Sequence, residues 1–202
     1  MTLYVVVDIE TDGPNPGSHS MLSFGAVACR AAGSQPGRGP EASADRFTVN
    51  LLPLPGAGSE PRTMAWWATE PEAWAAATRD ALPAAEAMAR FVDWLRGLPE
   101  IPVFAAHPVA FDGFWIDWYL RRFTGHRLFK GPYDGERLFQ DAALDIPSLA
   151  VGVLGMEPAQ AITKPYPEAW FGGHAHTHCA LDDARGYAAL LQQLLARRAQ
   201  GR

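Results

Sequence analysis

The sequence predicts one α/β domain built on a mixed β-sheet, and three observations predict it. The chain has 202 residues, 48% of them apolar and 19% charged. That is enough for one sizeable buried core, in the composition of an ordinary globular domain. Three strand-like apolar runs come first, before Pro53. Amphipathic helical stretches follow, with one more short apolar run among them.

Leu3 to Ile9 predicts a fully buried strand, closed by the turn signal Asp12-Gly13-Pro14. Met21 to Cys29 predicts a second strand with Gly25 inside it, and Phe47 to Leu52 a third. Between those two, Ala31 to Ala44 is rich in Gly, Pro and Ser and predicts a mobile hairpin loop. Leu51 to Pro61 is another Pro/Gly segment, followed by Thr63-Met64-Ala65-Trp66-Trp67. Ala84 to Leu98 predicts an amphipathic helix with Ala84, Met88, Phe91, Val92 and Leu95 on one stripe. Ile101 to Ala106 predicts a fourth strand. Phe111 to Phe123 predicts a helix buried on two sides, with Phe111, Trp115 and Trp118 on one face and Ile116, Leu120 and Phe123 on another. Asp145 to Leu154 predicts a short helix with Pro147 in its first turn and Gly155 at its end. A last helix carries Ala184, Tyr187, Ala188, Leu191 and Leu195 and closes with Arg197 and Arg198, which suit the dipole. With no internal repeat and no long linker, the expectation is a single domain over 1–202, its core about 3–198.

Composition narrows the function. Net charge is −5 and only Lys130 and Lys164 are lysines, so a long phosphate-gripping surface for duplex is not expected. Cys29 and Cys179 are the only cysteines, too few for a disulfide framework, and read as reduced. The opening apolar run has no basic region before it and no cleavage site after it. No window approaches the roughly 18 apolar residues of a membrane span. A soluble cytoplasmic protein is the expectation.

Three short segments carry chemistry. In Asp8-Ile9-Glu10-Thr11, strand alternation points Asp8 and Glu10 to one face. Like charges that close repel unless a cation lies between them, and hard divalent ions take oxygen ligands of this kind. In Ala106-His107-Pro108-Val109-Ala110-Phe111-Asp112, an acid enters the first turn of a helix directly after a buried strand. In His178-Cys179-Ala180-Leu181-Asp182-Asp183, the histidine reaches the same cleft as Asp183 only if it lies in the loop before the last helix. Each segment has a bland reading as well: a strand end running into a polar loop, an acid on a helix dipole, a capping histidine.

In order and spacing the three together resemble the DEDD exonuclease superfamily in its histidine-bearing branch, with ribonuclease T, oligoribonuclease and the proofreading subunit of bacterial DNA polymerase. The matching residues are Asp8, Glu10 and Thr11; His107, Phe111 and Asp112; His178, Ala180 and Asp183. Leu22 to Val27 is similar to the family's second strand, and the likeness runs from Leu3 to about Leu195. Trp66-Trp67 is similar to small bacterial exoribonucleases with a paired tryptophan. Pro108 departs from the family's usual Asn, removing a polar contact near Asp112.

The resemblance implies a ribonuclease H-like fold and a metal-dependent 3′–5′ exonuclease, RNA favoured, releasing nucleoside 5′-monophosphates from single-stranded 3′ ends or overhangs. Asp8, Glu10, Asp112 and Asp183 would hold two divalent cations, Mg²⁺ or Mn²⁺, roughly 3.5–4 Å apart, and His178 would be the general base. Thr11, Leu22, Trp66 and Phe111 are the expected substrate contacts, Leu22 or Met21 wedging between bases and one tryptophan stacking on a base while the other packs in the core. Arg121, Arg122 and Arg127 are expected on a solvated helix end. The alternatives are a proofreading-type DNA exonuclease, a phosphohydrolase of small nucleotides, and a non-catalytic nucleic-acid-binding module. A homodimer fits the aromatic content. The run His174, His176, His178 suggests zinc, but it follows Gly172-Gly173 and lacks a matching distant ligand set. His174 and His176 are therefore expected on a loop beside the site.

Overall fold

The computed structural model describes residues 2–31, 45–163 and 166–200. Most of the hairpin loop expected over Ala31 to Ala44 lies outside the described residues. Among the described residues, five strands form one sheet in the order β3-β2-β1-β4-β5. β1 (Tyr4–Thr11) pairs antiparallel with β2 (Met21–Cys29), which pairs antiparallel with β3 (Arg46–Asn50). On its other side β1 runs parallel to β4 (Val103–Ala106), and β4 parallel to β5 (Ala143–Asp145). The sheet is mixed, as expected.

Alternation along β1 divides the core. Val5, Val7 and Ile9 face the layer of α3 (Ala84–Arg96) and α4 (Val109–Phe123), with Met88, Phe91, Trp115 and Leu120 buried against them. Val6 faces the opposite layer, where α5 (Ile146–Leu154) and α7 (Ala180–Gln200) bury Ile146, Ala184, Leu191 and Leu194. Continuous apolar character in β1 follows from burial on both faces.

Several elements exceed the sequence reading. α1 (Pro61–Trp67) and α2 (Pro71–Thr78) form where only a Pro/Gly segment and a Trp pair were legible. α1 starts because Pro61 presets its first turn and the Glu60 carboxylate accepts from the Thr63 N–H at 2.7 Å. These helices cover the start of β2: Leu22, Trp67, Ala73 and Ala77 make a small apolar cluster of their own. α6 (Pro158–Thr163) and the three-residue β5 were likewise not expected, being too short to show a period. Asp145, read as a helix start, caps α5 through the Ser148 N–H and also accepts from the Val109 N–H at 2.9 Å. One carboxylate thus fixes where both α4 and α5 begin.

Candidate active site

The ends of β1, α4 and α7 converge. Asp8 and Glu10 lie on the β1 face that looks toward α7, and carboxylate oxygens of Asp8, Glu10 and Asp183 all lie within 4.8 Å of one another. Gly25 makes that approach possible. It is the β2 partner of Asp8, so any side chain there would project from the same face. A Cβ at Gly25 would collide with the backbone of Ala180 and Leu181. The first turn of α7 rests directly on the strand, carrying Asp183 to the acids.

Asp112 arrives from the opposite helical layer. β1 outruns β4, whose last pair is Val7–Ala106. Beyond that pair the Ile9 N–H donates to Asp112 Oδ1 at 3.1 Å. Asp112 is itself buried, in the first turn of α4. Its carboxylate satisfies a backbone donor that the sheet leaves over.

Burial and crowding in this space raise Asp8 and Glu10, and burial raises Asp112. Removal from water raises Asp8 well above the usual carboxylate range, and Asp112, Glu10 and Asp183 push it further. Glu10 is pushed up to about 8, first by burial and then by Asp183 and Asp112. Burial raises Asp112 to about 7, against the lowering effect of its backbone hydrogen bonds. Such a cluster is unfavourable as anions and favourable around a cation, and its donors are all oxygen, the set that hard divalent ions select. The residues fit a divalent-metal centre.

His178 lies in the loop before α7, where its reach to the cleft required it. Its backbone is left-handed (φ 56°), and its N–H donates to Asp183 Oδ2 at 3.1 Å, while the Thr177 N–H donates to Oδ1 at 2.9 Å. The ring meets Trp66 edge-on at 4.8 Å and His176 at 4.4 Å. Burial and the neighbouring His176 lower its pKa, which favours the neutral imidazole. His176 Nδ1 stands 2.9 Å from Asp183 Oδ2, a contact that sequence reasoning did not anticipate.

The tryptophan pair divides as expected. Trp67 is buried and its indole N–H donates to the Thr11 carbonyl at 2.9 Å, tying α1 to the end of β1. Trp66 is 37% exposed beside His178. Thr11 is half-buried at the strand end, and Phe111 is exposed on the first turn of α4. Leu22 is a correction: it is 1% exposed, packed under Trp67 and α2, and so is unavailable to wedge between bases; Met21 is fully buried too. Arg121 pairs with Asp117, and Arg127 lies over the Tyr133 ring. Beyond Asp183, the His107 ring stacks on Tyr187 at 4.7 Å and borders a cavity of about 450 Å³.

A mixed sheet with Asp-x-Glu on its first strand, an Asp after its fourth, and His and Asp at the start of the last helix defines a class. In fold the chain is similar to a member of the DEDDh family, and in sequence to a 3′–5′ DNA exonuclease. The 3′–5′ DNA exonuclease Cap18 of Escherichia coli is 27% identical over 197 residues, covering 94% of this chain and 90% of that protein. Solved structures that share the fold include two nucleases. The nuclease domain of 3′hExo, a DEDDh family member bound to rAMP, superposes with a TM-score of 0.62 at 12% identity, over 96% of this chain and 92% of that one. E. coli exonuclease I in complex with a dT13 oligonucleotide gives a TM-score of 0.68 at 14% identity, over 99% of this chain and 42% of that one. No protein-family model matches the chain.

Proposed function

We propose that the chain is a divalent-metal-dependent 3′–5′ exonuclease that removes nucleoside 5′-monophosphates from single-stranded 3′ ends. The observation that carries this reading is the set of Asp8, Glu10 and Asp183 oxygens within 4.8 Å of one another, with Asp112 buried at the same strand end. Asp8, Glu10, Asp112 and Asp183 would hold divalent ions, which would supply Lewis acidity at the scissile phosphate. His178 accepts the proton of the attacking water at its imidazole. The new P–O bond replaces the bond to the 3′ oxygen of the next nucleotide, which leaves with a proton. Trp66 faces the terminal base, where stacking contributes about 1–3 kcal/mol without regard to sequence.

Deoxyribose is the favoured sugar. The RNA expectation rested on the Trp pair, and one of those rings is core while the other lies against a histidine. The likeness to a DNA exonuclease supports DNA. The test is degradation of 5′-labelled DNA and RNA strands of one sequence with Mg²⁺ or Mn²⁺, mononucleotide products being identified by mass. A ladder shortening from the 3′ end, faster on DNA, is expected. Faster loss of the RNA strand restores the RNA reading, and no turnover of either with all four acids intact favours a binding module.

A further inference from the structure

We propose that His176, His178 and Asp183 form a second metal site, selective for a borderline ion such as Zn²⁺, and that its occupation switches the exonuclease off. One donor atom from each of the three residues falls within 4.8 Å of the others. His176 Nδ1 is already 2.9 Å from Asp183 Oδ2, and the two imidazole rings are 4.4 Å apart. Ligand atoms around a tetrahedral zinc stand about 3.3 Å apart for bonds of about 2.0–2.1 Å, so small side-chain movements suffice. The missing ligand that argued against zinc in the histidine run is Asp183, brought beneath it by the first turn of α7. Two histidines and one carboxylate leave a fourth position open to water.

Asp183 is therefore shared between two donor sets of different character. On one side Asp8 and Glu10 offer oxygen only, which suits Mg²⁺. On the other, two imidazoles offer nitrogen, which suits zinc. Zinc in the second set engages the His178 ring and one Asp183 oxygen together. The imidazole then has no free lone pair for the proton of water, and the oxygen set loses part of a ligand. The inhibitory half of the proposal rests on the exonuclease reading; the site itself does not.

The experiment measures zinc binding to the whole protein by calorimetry in saturating Mg²⁺, for the parent, His176→Ala and His174→Ala, with circular dichroism as the folding check. The His176 side chain is 57% exposed, so its truncation leaves the core intact. One zinc per parent chain is expected, with affinity falling at least about 10–100-fold in His176→Ala and unchanged in His174→Ala. Cobalt(II) gives a second readout: the strong visible absorption of a four-coordinate ion is expected in the parent and not in His176→Ala. Zinc titrated into Mg²⁺-supported turnover, each variant scaled to its own zinc-free rate, should inhibit the parent at concentrations that spare His176→Ala. Equal zinc affinity in the parent and His176→Ala, or no zinc binding in Mg²⁺, overturns the site. Binding at His176 without inhibition overturns the switch alone. Absence of any nuclease activity beside an intact binding difference overturns the exonuclease reading and leaves the site standing.

Discussion

Asp8, Glu10 and Asp112 are held by the sheet, whereas His176 and His178 are held by a loop. The acids of β1 are locked by strand pairing on both sides as far as Val7 and by the Asp112 carboxylate at Ile9. The histidines hang on a segment that follows two left-handed glycines, Gly172 and Gly173, and is tied to Asp183 by the Thr177 and His178 N–H groups and the His176 ring, and to the Phe171 carbonyl by the His174 N–H. Asp183 belongs to both regions. On the proposed reading the difference would separate tasks, with the metal ligands on β1 and α4 held by the sheet and the proton acceptor on the loop.

Removing an acid should have the largest effect. Asp8→Asn takes one ligand from the rigid region, and loss of several kcal/mol of charge stabilisation at phosphorus corresponds to a rate loss on the order of 10⁴-fold. The fold should survive, since the neutral amide relieves repulsion from Glu10, Asp112 and Asp183. Steady-state rates and thermal melts in chelator check both halves. An active Asp8→Asn protein would remove Asp8 from the metal set.

His178→Ala probes the loop region. Loss of a positioned base costs roughly 10²–10⁴-fold in turnover. Mg²⁺ or Mn²⁺ affinity should stay close to the parent value because the oxygen set is untouched, and the rising limb of the pH–rate profile should flatten. Because burial lowers the imidazole pKa, that limb in the parent should lie below the ordinary histidine range. Calorimetry beside single-turnover rates decides it: metal affinity falling in step with rate would make His178 a ligand of the catalytic ions.

Gly25→Ala tests the junction of the two regions without touching either chemistry. The new methyl meets the backbone of Ala180 and Leu181, so α7 must shift away from Asp8. Misplacement of about 1 Å at a reacting centre costs on the order of 10²-fold, and overpacking destabilises by about 1–3 kcal/mol. Both rate and melting temperature should fall. Parental activity in Gly25→Ala would show that Asp183 need not stay where the sheet puts it.

The same division explains what the sequence disclosed. The acids were legible because strand alternation and a helix start are local rules, and Met21–Cys29 emerged with its observed limits because it is one uninterrupted apolar run. His178 was correctly expected in a loop because a five-residue spacing to Asp183 excludes a shared helix face. The contact of His176 with Asp183, the role of Gly25 and the burial of Leu22 depend on packing between elements far apart in sequence, and no local pattern reports it. A glycine inside a predicted strand signals close backbone approach; followed further, that signal would have pointed to Gly25. α1 and α2 were missed because seven or eight residues show too little periodicity, although Pro61 and Pro71 stand where helices begin.

The smallest effect concerns the metal-free protein, and it separates the two regions by sign. Glu10 moves from 4.5 to about 8 and Asp112 from 3.8 to about 7 on folding, and Asp8 moves in the same direction. Between the unfolded and folded values the native state holds more protons than the unfolded chain, so these acids make stability fall as pH rises from about 4 to 8. His176, raised by its contact with Asp183, acts the same way above the ordinary histidine range. His178 and His107, lowered chiefly by burial, act oppositely just below that range. Three raised carboxylates outweigh two lowered imidazoles, so the melting temperature in chelator should decline between pH 5.5 and pH 8. Divalent ions that bind the ionised cluster would stabilise in proportion to RT ln(1 + [L]/Kd), so Mn²⁺ should raise the melting temperature most at pH 8 and least at pH 5.5. In Asp8→Asn both the decline and the Mn²⁺ increment should shrink, whereas in His178→Ala the decline should steepen because an opposing group is gone. Calorimetric melts across that range decide it. A melting temperature that rises steadily to pH 8 in chelator would mean that the acids are not crowded as the geometry requires.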